Sequence, residues 1–427
     1  MINNMEKITD HDLSSGARII HLQKNDTPLS YVSAWYHAGA RFDPPSKAGL
    51  AHFFEHIYGT QTTTHPDKNE LVKNLESEGI KFNAYTSTET AHFYYEQPQE
   101  QTETALLYLK EIIEETIIDP IAVEAEKNTI LNEEKENRHN PSAYIWRLSH
   151  QALWPQSLMG NDFFGTIESI KSITKSDLEI FRKNYYGSEN LSFIVASSQS
   201  STEVGKILSS IDLEKNSDRP NVKENELTPP KKILVEKRDI EQTTIAIAFR
   251  TASIYETDLY RALDLGLHIL VNSWISRVNQ RLRTEENISY WPTGGTEHFS
   301  DTGYAYIQFT VKNEDTEKAL SIVLEEISKL RNQKIPEVQL EKFKRSYIST
   351  ILQNYETLDD VIWWYGWQAT LGIDKLLSLD SYIAKINEIS SEQLQQTVST
   401  YLCDEHRSII AVGNITEKEL VNYMNSI

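Results

Sequence analysis

The sequence has a single cysteine, Cys403, in 427 residues. An intrachain disulfide is therefore excluded, and so is a thiolate-rich metal site. No run of about 18 apolar residues occurs, which leaves no candidate for a membrane-spanning helix. The opening MINNMEKITDHDLSS lacks both the apolar core of a secretory signal and the Arg-rich, acid-poor make-up of a mitochondrial presequence. Basic residues are in deficit, with 42 Lys plus Arg against 62 Asp plus Glu and a net charge of -20. That balance repels nucleic acid and anionic membranes, and no local basic cluster offsets it. The expectation is a soluble cytoplasmic protein with neither nucleic-acid nor membrane partners.

Apolar and aromatic residues are plentiful. The hydrophobic set makes up 39%, with 21 Tyr, 13 Phe and 8 Trp, enough for large cores and too much for a disordered chain. At roughly 150 residues per domain, the length points to two or three domains.

The chain repeats itself. ARIIHLQK (17–24) and LSYVSAWYHAG (29–39) read as two strands, echoed by KILVEKRD (232–239) and TTIAIAFRTA (243–252). ETAHFYYE (89–96) leads into the helical ETALLYLKEIIEE (103–115), as DTGYAYIQFTV (301–311) leads into EKALSIVLEEI (317–327). Glu126-Lys127 returns as Glu341-Lys342, and LSFIVAS (191–197) returns as RSIIAVG (407–413). The offset stays between 212 and 216 residues across these anchors. The expected organisation is an N-terminal domain (1–210), a polar linker with three prolines (211–232) and a C-terminal domain of the same fold (233–427). Strands and helices do not alternate one-to-one, and the paired strands at the start of each half look like hairpins. Both features favour an α+β fold: two homologous domains, each a mainly antiparallel sheet covered by helices.

The sharpest motif is HFFEH at 52–56. On a helix, His52 and His56 lie one turn apart on one face and can reach a common Zn²⁺ at about 2.0–2.1 Å. Glu55 sits beside that face, where it can take a proton from water. The order of parts is the reverse of the HExxH of better-known zinc peptidases, the inverzincin pattern. A zinc site of this kind wants a third protein ligand. The Glu-rich helical segment 121–140 places Glu126, Ile130 and Glu133 on one stripe, while spacing alone leaves Glu133, Glu134 and Glu136 open as the ligand.

GLAHFFEHIYGT, LVKNLESEGIKFNAYTSTETAHFYY, EKNTILNEE and FGTIESI together resemble the M16 family of zinc metallopeptidases, over nearly the whole chain. The resemblance implies Glu133, in ILNE, as the third ligand of one Zn²⁺ per chain, and Glu126 as the residue supporting the ligands. It implies Asn83-Ala84 on a substrate-holding edge strand, and Arg283 and Tyr290, in RLRTEENISY, as a pair binding the substrate carbonyl and the oxyanion. It further implies a zinc endopeptidase acting on peptides or small proteins enclosed in a dimeric chamber, as a homodimer or as a heterodimer with a family partner. The alternative is a non-catalytic structural or peptide-binding subunit. Two departures stand out. The glycine-rich turn before the Arg is here VNSWISR (271–277), without glycine, and the family's glycine pair before Asn-Ala is altered, with Gly79 retained but Lys81 and Phe82 beside Asn83.

The repeat argues separately for chemistry. The second-half counterpart of the motif is LGLHILVN (265–272), with His268 alone, and Glu133 maps to Ile348. One copy of the fold does without the ligands, so the fold does not need them. His268 is expected to be a hydrogen-bonded core histidine.

Overall fold

The computed structural model describes residues 7–215 and 228–426, so most of the expected linker lies outside the described residues. In chain order the first half forms β1 (Lys7–Asp12), β2 (Arg18–Gln23), β3 (Leu29–Tyr36), α1 (Leu50–Ile57), α2 (Lys68–Ser77), β4 (Lys81–Thr86), β5 (Ala91–Pro98), α3 (Thr102–Glu115), α4 (Pro120–His139), α5 (Pro141–Leu153), α6 (Ile167–Ser172), α7 (Lys175–Tyr185), β6 (Leu191–Ser197) and α8 (Ser201–Leu208). The second half follows the same plan. It runs through β7 (Ile233–Lys237), β8 (Gln242–Thr251), α9 (Thr257–Leu270), a single turn α10 (Arg277–Asn279) continuing as a π-helical stretch (Gln280–Glu285), β9 (Thr293–His298) and β10 (Gly303–Lys312). It closes with α11 (Thr316–Asn332), α12 (Glu337–Gln353), α13 (Leu358–Thr370), α14 (Leu379–Glu388), α15 (Ser391–Tyr401), β11 (Arg407–Gly413) and α16 (Glu417–Ser426).

The sheets run β1-β2-β6-β3-β5-β4 and β7-β11-β8-β10-β9. Apart from the extra β1, the two orders are the same, as the repeat requires. Neighbours are antiparallel except β2 with β6 and β7 with β11. The fold is α+β, with two sheets of equivalent topology.

One expectation is corrected. The strand pairs that open each half, β2 with β3 and β7 with β8, are not hairpins, because β6 and β11 lie between their members. LSFIVAS is buried along its whole length, so it belongs in mid-sheet, where both faces are covered.

The compact units do not follow chain order. One comprises described residues 7–134, 161–215 and 354–376, and the other 135–160, 228–353 and 377–426. In the first unit, α1, α3, α7 and α8 pack one face of the sheet around Phe53, Phe54, Leu106, Leu109 and Phe193. The opposite face, with Ile20, Tyr31, Trp35 and Ile194, is covered by α13 through Val361, Ile362, Tyr365 and Ala369. In the second unit the matching face, with Ala246, Tyr304 and Ile410, is covered by α5 through Ile145, Leu148 and Ala152. Each half thus contributes to the other's unit the helix that follows its Glu-Lys helix. Both sheet faces are apolar, and each needs a cover that its own half lacks.

Candidate metal centre

The site is built on α1 and α4. Asp43 is buried just before α1 and accepts from the backbone N–H groups of Gly49 (2.7 Å) and Leu50 (3.1 Å) through Oδ2, and of Ala51 (2.8 Å) through Oδ1. These are N–H groups that a helix start leaves without partners, so Asp43 fixes where α1 begins. Gly49 has φ 89°, a left-handed conformation suited to glycine. Leu50, Ala51, Phe53, Phe54 and Ile57 are buried in the core, which turns His52, Glu55 and His56 toward α4. At the other wall, Asp119 receives the N–H of Val123 (2.9 Å) and Pro120 opens the helix, the arrangement expected of a helix start. Val123 and Ile130 are buried and set the rotation of α4.

That rotation brings Glu133, and neither Glu134 nor Glu136, to the histidines. His56 Nε2 lies 3.3 Å from Glu133 Oε2 and 3.2 Å from His52 Nε2, and His52 Nε2 lies 3.7 Å from the same carboxylate oxygen. Donors at about 2.0–2.2 Å around one tetrahedral ion stand roughly 3.3–3.6 Å from each other. The three measured edges bracket that range. The donor set of two imidazoles and a carboxylate suits Zn²⁺, and among the described residues no other trio of His, Cys, Asp or Glu offers ligand atoms this close together. Glu134 is instead buried and Glu136 exposed.

The surroundings favour a cation. Glu126 Oε1 accepts from His56 Nδ1 at 3.0 Å, which leaves Nε2 as the face toward Glu133 and His52. That bond, with Lys68 Nζ 3.9 Å from the other oxygen, holds the Glu126 carboxyl below its ordinary range. Burial alone would pull His56 down, but the Glu126 bond and the charges of Glu133 and Glu55 outweigh it and leave the imidazole above its usual value. Burial pushes the Glu55 carboxyl up, opposed by its polar contact with Thr86 at the end of β4 and by His56. The His52 ring is framed by Phe163 and Phe164 at 5.2 and 4.9 Å between centroids. Neither Phe nor Asp43 was singled out in the sequence. The aspartate six residues before the glycine that opens the motif helix was the available signal.

β4 is the edge of its sheet, paired on one side only with β5. Phe82 and Ala84 pack on the core, while Lys81, Asn83 and Tyr85 are exposed. Asn83 Nδ2 donates to the Tyr94 hydroxyl (3.2 Å), and Asn83 Oδ1 accepts the Ala84 N–H (2.9 Å).

Arg283 and Tyr290 belong to the second unit and touch one another, the guanidinium carbon lying 4.7 Å from the phenol ring centroid. The second unit's counterpart of the motif is occupied differently. His268 is buried with Nε2 3.0 Å from Ser346 Oγ, and burial lowers it to about 4. Nearby, Asp264 accepts from the Tyr382 hydroxyl at 2.8 Å.

Known proteins share both halves of this plan. A family profile described as Insulinase (Peptidase family M16) matches residues 18–167, and one described as Peptidase M16 inactive domain matches residues 172–347. The chain belongs to peptidase family M16. Among M16 relatives, the mitochondrial-processing peptidase subunit beta of Dictyostelium discoideum is 24% identical over 96% of this chain and 90% of its own length. The uncharacterized zinc protease YmxG of Bacillus subtilis is 22% identical over 91% and 94%. A protease from Helicobacter pylori superimposes with a TM-score of 0.86 at 18% identity, over 96% of this chain and all of that one, and shows the same fold. Zinc-protease relatives support a peptidase in general terms, and the inactive-type profile covers a stretch of the chain that holds none of the ligand trio. No helix among the described residues is long and apolar enough to cross a membrane.

Proposed function

We propose that this M16 chain is a zinc-dependent endopeptidase acting on extended peptides or small proteins. The observation that carries the reading is the meeting of His52, His56 and Glu133 at tetrahedral-edge separations, with Glu55 on the same helix beside them. One zinc ion per chain, held by those three residues, supplies a Lewis acid that polarises the peptide carbonyl and makes water more acidic. Glu55 takes the proton of the attacking water and returns it to the leaving amine. Glu126 orients His56 through its Nδ1–H. Asn83 and Ala84 receive the peptide as an added strand on the edge of β4, an arrangement that reads backbone more than side chains. Arg283 and Tyr290 bind the substrate carbonyl and stabilise the oxyanion.

In this reading the enzyme is a cytoplasmic homodimer that encloses its substrates. A heterodimer with a family partner is the other assembly the chain would suit. Carrying both the ligand trio and the Arg/Tyr pair makes one kind of chain sufficient.

The test combines a metal assay with cleavage of a mixed peptide library. Protein purified without added zinc should hold close to one equivalent, lost in His56→Ala. Glu55→Gln should keep the metal and lose cleavage, and a chelator should silence the wild type. A wild-type chain that holds zinc yet cuts nothing in the library would instead mark a peptide-binding subunit.

A further inference from the structure

The loop before Arg283 departs from a glycine-rich turn, and the structure shows what stands there. Its backbone is pinned by side chains from the following turn. Asn279 Nδ2 donates to the carbonyls of Val271 and Ser273, both at 3.0 Å, Gln280 Nε2 donates to that of Trp274 at 2.5 Å, and Ser276 Oγ donates to Ser273 at 2.6 Å. The loop so fixed presents Trp274 to the guanidinium of Arg283, whose central carbon lies 4.1 Å from the Trp274 ring centroid and 5.3 Å from that of Trp291. The two indoles meet edge-on at 5.2 Å. Trp274 is 62% exposed and Tyr290 81% exposed, so these rings are not core residues that happen to lie near an arginine.

Arg283 also lacks the partner that an arginine in this chain usually finds. The net charge is -20, and Arg281, two residues earlier, bonds to Glu285, Glu325 and Glu326. Among the described residues no carboxylate pairs with Arg283. A guanidinium resting on aromatic faces is attracted through the ring quadrupoles and keeps its five N–H donors for other acceptors. A carboxylate partner would occupy those donors and neutralise the charge.

We infer that Trp274, assisted by Trp291, is a positioning residue that holds Arg283 ready for a peptide carbonyl, in place of the acidic partner found at Arg281. The inference rests on the proposed role of Arg283. Trp274 touches no substrate in this account and acts only through the arginine.

The test is a double-mutant cycle on the zinc-loaded enzyme with a library-selected peptide. Losing an exposed cation–π contact of this kind in Trp274→Ala should lower kcat/KM about two- to fivefold, chiefly through KM. Trp274→Phe should retain most of the wild-type value. In an Arg283→Ala background, Trp274→Ala should cost nothing further. Melting temperature, zinc content and oligomeric size should match wild type in all four variants, the Arg283→Ala single and the double included. An equal cost of Trp274→Ala with and without Arg283 overturns the inference while leaving the role of Arg283 standing. A fully active Arg283→Ala enzyme removes that role and the inference with it. A change of oligomeric size in Trp274→Ala would overturn it in favour of a subunit contact.

Discussion

His56 and Glu126 are joined across two helices by a 3.0 Å contact between Nδ1 and Oε1, and Glu133 meets the opposite nitrogen of the same ring. One imidazole is therefore held from both sides by carboxylates two turns apart on α4. Glu126→Gln keeps the shape but weakens the acceptor. Losses of such supporting contacts run at about 10–100-fold in metal affinity or activity. We expect a zinc dissociation constant raised within that range, measured by competition with a chromophoric chelator, and restored occupancy and cleavage at high zinc. An unchanged dissociation constant would mean that His56 needs no such support.

The edge of β4 offers a test of how substrate is held. Ala84 sends its N–H to Asn83 Oδ1 rather than into the β5 ladder, so an incoming strand must take over that donor. Ala84→Pro removes the donor at an edge position, where proline is tolerated. One lost backbone hydrogen bond, at about 0.5–1.5 kcal/mol, predicts KM raised about two- to tenfold with zinc content unaltered. Wild-type KM in a folded, zinc-loaded Ala84→Pro protein would rule out strand addition at this residue.

Three buried histidines make the fold sensitive to acid. Burial lowers His92 to about 3 and His150 and His268 to about 4. His92 lies between Trp35, stacked at 3.8 Å, and Trp363, edge-on at 4.6 Å, with neither ring nitrogen hydrogen-bonded. In the unfolded chain these rings titrate near 6.5, so between about pH 6.5 and pH 3–4 the unfolded state binds more protons. Stability is therefore lost as pH falls through 6.5 and levels off below about 3. Each such histidine contributes up to about 1.4 kcal/mol per pH unit inside its window. His92→Phe should shallow the acid limb of a urea-denaturation series by about that amount, with both proteins zinc-loaded at the start. A parallel acid limb in the variant would contradict this account.

Two helix glycines of the first unit, one on the covering helix α13 and one on α8, give opposite expectations. A side chain at 366, on α13, would overlap the buried indole of Trp35, which is also stacked on His92 at 3.8 Å. Overpacking costs about 1–3 kcal/mol and exceeds the roughly 1 kcal/mol that alanine gains over glycine in a helix. Gly366→Ala should destabilise. At Gly205, inside α8, a Cβ meets nothing within 4 Å, so Gly205→Ala should stabilise by about 0.5–1 kcal/mol. Chemical denaturation of the pair reads both signs, and a stabilising Gly366→Ala would show that α13 does not press on Trp35.

Much of this was legible in the residues because it is local or periodic. Four residues make about one helical turn, so HFFEH puts two imidazoles on one face wherever that helix lies. Self-similarity near 215 residues announced two copies of one sheet plan, and the loss of the ligands from the second copy set the motif apart from structural need. Other features depended on where distant segments meet. Glu133 and Glu134 differ by about 100° around α4, and the burial of Val123 and Ile130 selects the former. The insertion of β6 between β2 and β3, and the exchange of α5 and α13 between the two sheets, come from pairing and burial across more than 100 residues, which adjacent spacing does not encode. The placement of Trp274 over Arg283 depends on side chains tying down a loop, which no motif announces.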